Sequence, residues 1–551
     1  MEDEKIEKRN KNFKPNIQLN DFTNQPMNIQ LTLRKQKLEE NLMSKRIKFI
    51  KGNPNPLEVD INKLNVPEDL KKNYKTFLKT NYEIKNYLHQ LFGSDLNDKK
   101  LALFLLRNFI ILQIIELPFE KRKLSRNDRD LFKRLCDLLY DQDPQVKYEV
   151  TWCLINISLF PKVVENKLYT EENLNKILDF ILTCDDQFII NSIFMLRNFS
   201  TNDSNRHFFI NNGGLKKAID ILSKDINNLY LIKHICSFFQ NLTNILENEP
   251  YEIENLIEII PLLIKVINNF INNPLNNEKD YLLIIELLHE LMKNQNKQIY
   301  SILINTNFCE TIIKFFNIIH DNDIRIKTFE IFNDMLSYDD TINQKLLNAG
   351  LCKILKDLLN EFQFNNKKFL AEIIFAISNI SNGLINQIEL LNKEGIFCDI
   401  IKITKFYIEN YNPNDYSFKC LIRECIYALT NAVNLSQNNF NVIQNIIFYE
   451  NGFLIQILLF ALKNFDLKKE NEIFFYSIIL CIKICIIQSE NFMNDNDNFI
   501  KIYLINNQIE DILNHLLTNK YLITDANKNI IDTILCSLKD ENDLNNLENK
   551  N

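Results

Sequence analysis

Glu149, Trp152 and Asn156, then Glu372, Phe375 and Asn379, then Glu424, Tyr427 and Asn431 repeat one pattern of residue types: an acid, an aromatic and an amide. Offsets of 0, 3 and 7 fall on one stripe of an α-helix, so each triad offers a carboxylate, a flat ring and an amide to one surface. That set suits an extended basic peptide. The ring covers the apolar stem of a Lys or Arg, the amide pairs with a peptide backbone group, and the carboxylate takes the charged head. No catalytic group is needed for this. The sequence has no P-loop, nucleophile elbow, Gly-rich dinucleotide turn or His-rich metal spacing, so a binding protein without metal or cofactor is expected, not an enzyme. Cys153 stands beside Trp152 but has no His near it in sequence, and is read as a core thiol, not a nucleophile.

Such stripes need helices in register. A chain of 551 residues exceeds what one compact core supports, so several domains or a repeat array are required. Helices with similar apolar-Asn or apolar-acid endings place Asn108, Asn156, Asn198, Asn241, Glu290, Asp334, Asn379 and Asn431 at intervals of 48, 42, 43, 49, 44, 45 and 52 residues. A period of about 40 to 47 residues belongs to armadillo or HEAT helical repeats. Glycine gives an independent check. Only 8 are present, and Gly213-Gly214, Gly350, Gly395 and Gly452 each precede an apolar helical run, where a short turn needs positive φ. Gly452 follows Gly395 by 57 residues, so that repeat is expected to carry an insertion, placed at Tyr411–Asp415. Each unit reads as a short helix, a longer helix starting near the Gly, and a third helix bearing the aromatic and Asn.

Charge divides the chain. Lys5–Lys51 holds 12 basic and 4 acidic residues, whereas Gly52–Asn551 holds 52 basic and 64 acidic ones. An acidic body argues against nucleic-acid binding. The boundaries expected are a basic arm at 1–51, a Pro-rich linker at 52–68, a solenoid at 69–540 and an acidic disordered tail at 541–551. The 12 cysteines form no CxxC pair, and no signal peptide is seen, which reads as a reducing intracellular compartment. Ile473–Ile487 is apolar but short for a membrane span, and is read as a buried helix without membrane insertion.

With the basic segment LRKQKLEENLMSKRIKF and the motifs TWCLINIS, IFAISNISNG and ECIYALTNAV in place, the chain resembles importin-α, the armadillo-repeat adaptor that carries nuclear-localisation-signal cargo to importin-β. The resemblance implies an all-α, right-handed solenoid of about ten armadillo repeats with a flexible basic N-terminal arm. It implies a larger cargo site of Glu149, Trp152, Asn156, Phe194, Asn198, Asp203, Ser237 and Asn241. It implies a smaller one of Glu372, Phe375, Asn379, Glu424, Tyr427 and Asn431. Importin-β binding would use Arg34, Lys35, Lys37, Lys45, Arg46 and Lys48. A nuclear export receptor, and shuttling between cytoplasm and nucleus, follow by the same analogy.

This sequence departs from the family pattern. One expected tryptophan survives as Trp152, two are Phe, one is Tyr and one is Ser237, which keeps no ring. Glu286 with Glu290, and Glu330 with Asp334, add acid in the middle repeats. A lone pair such as Phe104 with Asn108 is read as core packing, and a satisfied structural ladder is the alternative reading of the triads. The alternative function is an armadillo scaffold of the cytoskeleton or cilium, or a narrow-cargo paralogue without general signal binding.

Overall fold

The computed structural model describes residues 60–64, 68, 72, 87–116, 128–158, 170–201, 203–243, 256–273, 278–292, 296–362, 366–465, 472–492, 498–517 and 524–548. The basic arm, with Arg34, Lys35, Lys37, Lys45, Arg46 and Lys48, lies outside them, as does most of the linker. Among the described residues there are 25 α-helices and no strands. They fall into two compact units, one ending at Leu291 and the other beginning at Met292.

The N-terminal unit comprises α1 (Leu96–Glu116), α2 (Asp128–Leu138), α3 (Pro144–Ile157), α4 (Glu171–Thr183), α5 (Ile189–Phe199), α6 (Asp203–Asn211), α7 (Gly214–Lys224), α8 (Leu229–Thr243), α9 (Ile260–Asn272) and α10 (Leu282–Met292). The C-terminal unit is five successive triplets of a short, a longer and a third helix. These are α11 (Lys297–Asn305), α12 (Phe308–Ile318) and α13 (Asn322–Tyr338); α14 (Asp340–Asn348), α15 (Leu351–Phe362) and α16 (Lys367–Ser381); α17 (Ile385–Lys393), α18 (Ile396–Glu409) and α19 (Tyr416–Leu435). Then come α20 (Phe440–Ile447), α21 (Phe453–Asn464) and α22 (Glu472–Phe492); α23 (Phe499–Asn506), α24 (Ile509–Leu517) and α25 (Asp525–Glu548). This is the armadillo-repeat arrangement, in which each triplet buries apolar faces that it cannot bury alone.

Local chemistry explains the boundaries. Asp143 caps α3 by accepting from Gln145 N at 2.9 Å and Val146 N at 3.1 Å, with Pro144 in the first turn. Asp321 and Asp339 cap α13 and α14 in the same way. The four glycine turns have φ of 94° at Gly213, 112° at Gly350, 71° at Gly395 and 76° at Gly452, all left-handed as the sequence predicted. Two of them differ usefully. A Cβ at Gly350 would meet nothing within 4 Å, so Gly350→Ala carries only the backbone cost, about 1–2 kcal/mol. A Cβ at Gly452 would also run into the Phe499 ring. Gly452→Ala is therefore expected to destabilise the C-terminal unit by more than Gly350→Ala. Chemical unfolding of both variants checks this, and equal midpoints would refute it.

Three expectations are corrected. The insertion is not confined to Tyr411–Asp415: α18 and α19 have 14 and 20 residues, against 12 and 15 in α15 and α16, so the helices lengthen as well. The boundary at 540 falls inside α25, which continues to Glu548, so residues 541–548 are helical. The apolar run at Ile473 belongs to a helix of 21 residues, and its part Ile473–Phe492 is long and apolar enough to cross a membrane. Its apolarity has a structural use, because Phe474, Phe475, Ile478, Ile479, Ile482 and Cys485 are all buried against neighbouring helices.

Candidate functional site

The predicted ladder residues lie on two runs of third helices, α3, α5 and α8 in one unit and α16 and α19 in the other, and within each run asparagines join one helix to the next. Asn198 Nδ2 on α5 donates to Ile155 O on α3 at 3.0 Å, and Asn241 Nδ2 on α8 donates to Arg197 O at 2.7 Å and to Ser200 Oγ at 3.1 Å. Asn431 Nδ2 on α19 donates to Ser378 O on α16 at 3.3 Å. In each case the accepting carbonyl precedes the ladder Asn of the preceding repeat. These amides therefore set the register between repeats, which is the structural-ladder alternative. Asn108 instead bonds within its own helix, donating to Phe104 O at 2.8 Å.

In the N-terminal unit, two arginines of the chain itself take up the groups expected to bind a ligand cation. Arg107 Nε lies 3.0 Å from Glu149 Oε2, and its guanidinium is 5.7 Å from the centre of the Phe104 ring. Both side chains of this ion pair are buried, at 5% and 0% exposure. Arg197 lies 5.2 Å from the Phe194 ring centre and donates from Nε and Nη2 to Asn198 Oδ1 at 3.0 and 2.8 Å. Its Nη1 is 3.0 Å from His234 Nδ1, which must accept because a guanidinium only donates. Glu149 and Asn198 thus have intramolecular partners that the sequence reading did not foresee. Sequence held one signal for them: Phe-x-Leu-Arg-Asn-Phe occurs at both 104–109 and 194–199.

Rings in this unit form a column. Trp152 packs on Phe194 with centres 5.6 Å apart, and Phe194 on His234 at 4.1 Å. The ring missing at buried Ser237 is supplied one and two turns earlier, by His234 and Tyr230. Asn156 is buried, and Asp203 opens α6, its side chain lying outside the described residues. Cys153 is buried, donates to Leu103 O at 3.7 Å, and burial pushes its pKa well up, which disfavours a thiolate.

The C-terminal unit holds an open cleft of about 360 Å³ across α16, α19 and α22. Phe375, Ser378 and Asn379 line it from α16, Glu424, Tyr427 and Asn431 from α19, and Ile473, Tyr476 and Leu480 from α22. Five of the six residues predicted for the smaller site are thereby brought together. Glu372 is not on this wall: its Oε2 accepts from Asn333 Nδ2 of α13 at 3.0 Å. Asn379 is only 1% exposed, and its Nδ2 has no hydrogen-bond partner among the described residues. A buried donor left unpaired costs about 1–3 kcal/mol. Tyr476 was missed by the sequence reading. Ile473, Tyr476 and Leu480 keep the 0, 3 and 7 spacing, but without the acid and amide that marked the other stripes.

A charged clamp holds the first two walls. Asp415 caps α19 by accepting from Ser417 N at 2.9 Å and pairs with Lys367 Nζ, at the start of α16, at 2.7 Å. Lys367 also lies 3.8 Å from the centre of the Phe418 ring. The Lys367 ammonium and the Ser417 hydroxyl hold the Asp415 pKa down to about 2. A lowered carboxylate pKa stabilises the fold above the ordinary carboxylate range, and that contribution is lost as pH falls toward 2. The clamp is therefore in place at neutral pH.

In the middle repeats the expected acidity is partly offset. Lys327 Nζ pairs with Glu330 Oε2 at 2.6 Å, and Gln240 Nε2 donates to Glu286 Oε2 at 3.5 Å.

The third-helix stripes and the triplet fold define an armadillo-type helical-repeat protein. No family model matches the chain, and no curated protein matches it. Among solved structures, an engineered protein is similar at a TM-score of 0.57 and 13% identity over 83% of this chain and 99% of its own. A structure reported for the phosphorylation-controlled interaction between cadherin and beta-catenin is similar at a TM-score of 0.54 and 12% identity, over 84% of this chain and 96% of that one. A designed armadillo repeat protein aligns with 51% of this chain and 99% of its own at 16% identity, with a TM-score of 0.38. At these identities the likeness is one of fold.

Proposed function

We propose that this protein is a peptide-binding adaptor of nuclear import, which holds extended Lys- or Arg-bearing signals and recruits importin-β through its basic arm. The observation that carries the binding half is the cleft of the C-terminal unit, where the unpaired Asn379 amide stands with the Glu424 carboxylate and the Phe375 and Tyr427 rings. A backbone carbonyl would satisfy the amide, a cationic head the carboxylate, and an alkyl stem the rings. The import half is supported by the basic segment Arg34–Lys51 ahead of the array. In this reading the adaptor moves between cytoplasm and nucleus, is returned by an export receptor, and catalyses nothing.

A labelled lysine-rich signal peptide titrated into the full chain tests the first half. Tyr427→Ala removes one stem contact, and Glu424→Gln the charge that faces the head. Each is expected to weaken binding about tenfold, from contacts of about 0.5–2 kcal/mol. No binding by the unaltered chain would end the adaptor reading. Reversing charge at Arg34, Lys35, Lys45 and Arg46 should abolish importin-β capture, and failure of the intact arm to capture it would leave a peptide-binding scaffold outside import. That scaffold is the second reading, favoured by the chain's own cations Arg107 and Arg197, which already partner the N-terminal stripe.

A further inference from the structure

The cleft of the C-terminal unit is chemically two-sided. Toward α16 it offers the Asn379 amide, the Phe375 ring and the Glu424 carboxylate, whereas toward α22 the same spacing presents Ile473, Tyr476 and Leu480. Leu435, at the end of α19, is 42% exposed and also lines the cleft, as does Tyr476 at 38%. Exposed apolar side chains gathered inside a concave wall mark a place for an apolar ligand group. No lining residue is a lysine or arginine, and the one carboxylate there, Glu424, is 5% exposed and lies 4.0 Å from Nε of the adjacent Arg423.

We propose that this cleft selects an extended segment carrying both a basic residue and a large aliphatic one. The basic residue lies between Phe375 and Tyr427 beside Glu424, and the aliphatic one seats between Tyr427 and Tyr476 against Leu480 and Leu435. Packed helices stand about 8–10 Å apart and an extended chain advances about 3.3 Å per residue, so the two side chains are about two or three positions apart. A purely basic signal fills only half of the site. This specificity rests on the peptide-binding reading above and adds the second requirement to it.

The test is fluorescence anisotropy with the full chain and short labelled peptides. One carries a lysine pair in a Gly/Ala background, and the others add a single leucine two or three positions to either side. One leucine peptide is expected to bind about tenfold more tightly than the basic parent, as partial burial of a leucine side chain provides. Tyr476→Ser, at an exposed position, should bring that ratio toward one, whereas Glu424→Gln should weaken both peptides and leave the ratio in place. If the parent binds and no leucine peptide improves on it, the aliphatic seat is refuted while peptide binding stands. If the leucine gain survives in Tyr476→Ser, the seat is wrongly placed. If neither peptide binds, both readings fall.

Discussion

Glu149→Ala is expected to destabilise the N-terminal unit by about 3–5 kcal/mol, because it strands the Arg107 guanidinium in a buried position. The pair joins α1 to α3, so the loss should appear as faster hydrogen exchange in those two helices and spread less to the C-terminal unit. Helical repeats lose cooperativity easily, which makes a local probe preferable to one melting temperature. The double replacement Arg107→Met with Glu149→Leu should recover much of the loss, since no charge is then left unpaired in the core. Unchanged exchange in α1 and α3 of Glu149→Ala would mean that water reaches the pair.

Asn198→Ala has the next largest expected effect, about 2–4 kcal/mol. One amide is bonded on both sides: it donates to Ile155 O and accepts twice from Arg197. Its removal leaves a buried carbonyl and a buried guanidinium short of partners, and each such group costs about 1–3 kcal/mol. Asn241 is half-buried and only its donor side is engaged, so Asn241→Ala should cost less. Urea unfolding of the two variants, followed by protease sensitivity of α5 and α8, would rank them, and equal stability would refute the ladder's structural role. The ranking matters for function. A loss of peptide binding in Asn198→Ala would not by itself identify a ligand contact. Asn379→Ala is the cleaner probe, since its amide nitrogen has no hydrogen-bond partner among the described residues.

Much of the architecture could be read from residue order. Third helices recurred at the spacing of Asn156, Asn198 and Asn241, and the phase of four sparse glycines agreed with their left-handed turns. Both signals are local, because φ at a turn and the face of a helix depend on residues within a few positions. Tyr476 was less legible, because the neighbours that define its stripe are Ile473 and Leu480 instead of an acid and an amide. Ser237 misled in the other direction, as its lost ring is replaced by His234 on the same face.

By itself, then, the sequence determined that this is an all-helical array whose third helices carry a stripe of acids, rings and amides. Only the tertiary structure decided which members of that stripe serve the fold and which line a cleft. Glu149 and Glu424 occupy the same place in identical patterns. Yet Glu149 is buried against Arg107, 42 residues away, whereas Glu424, 5% exposed, lies 4.0 Å from Nε of the adjacent Arg423 and borders an open cleft. Helical periodicity specifies the direction in which a side chain leaves its own helix, but its partner comes from the neighbouring repeat, and the stagger between repeats is set by packing.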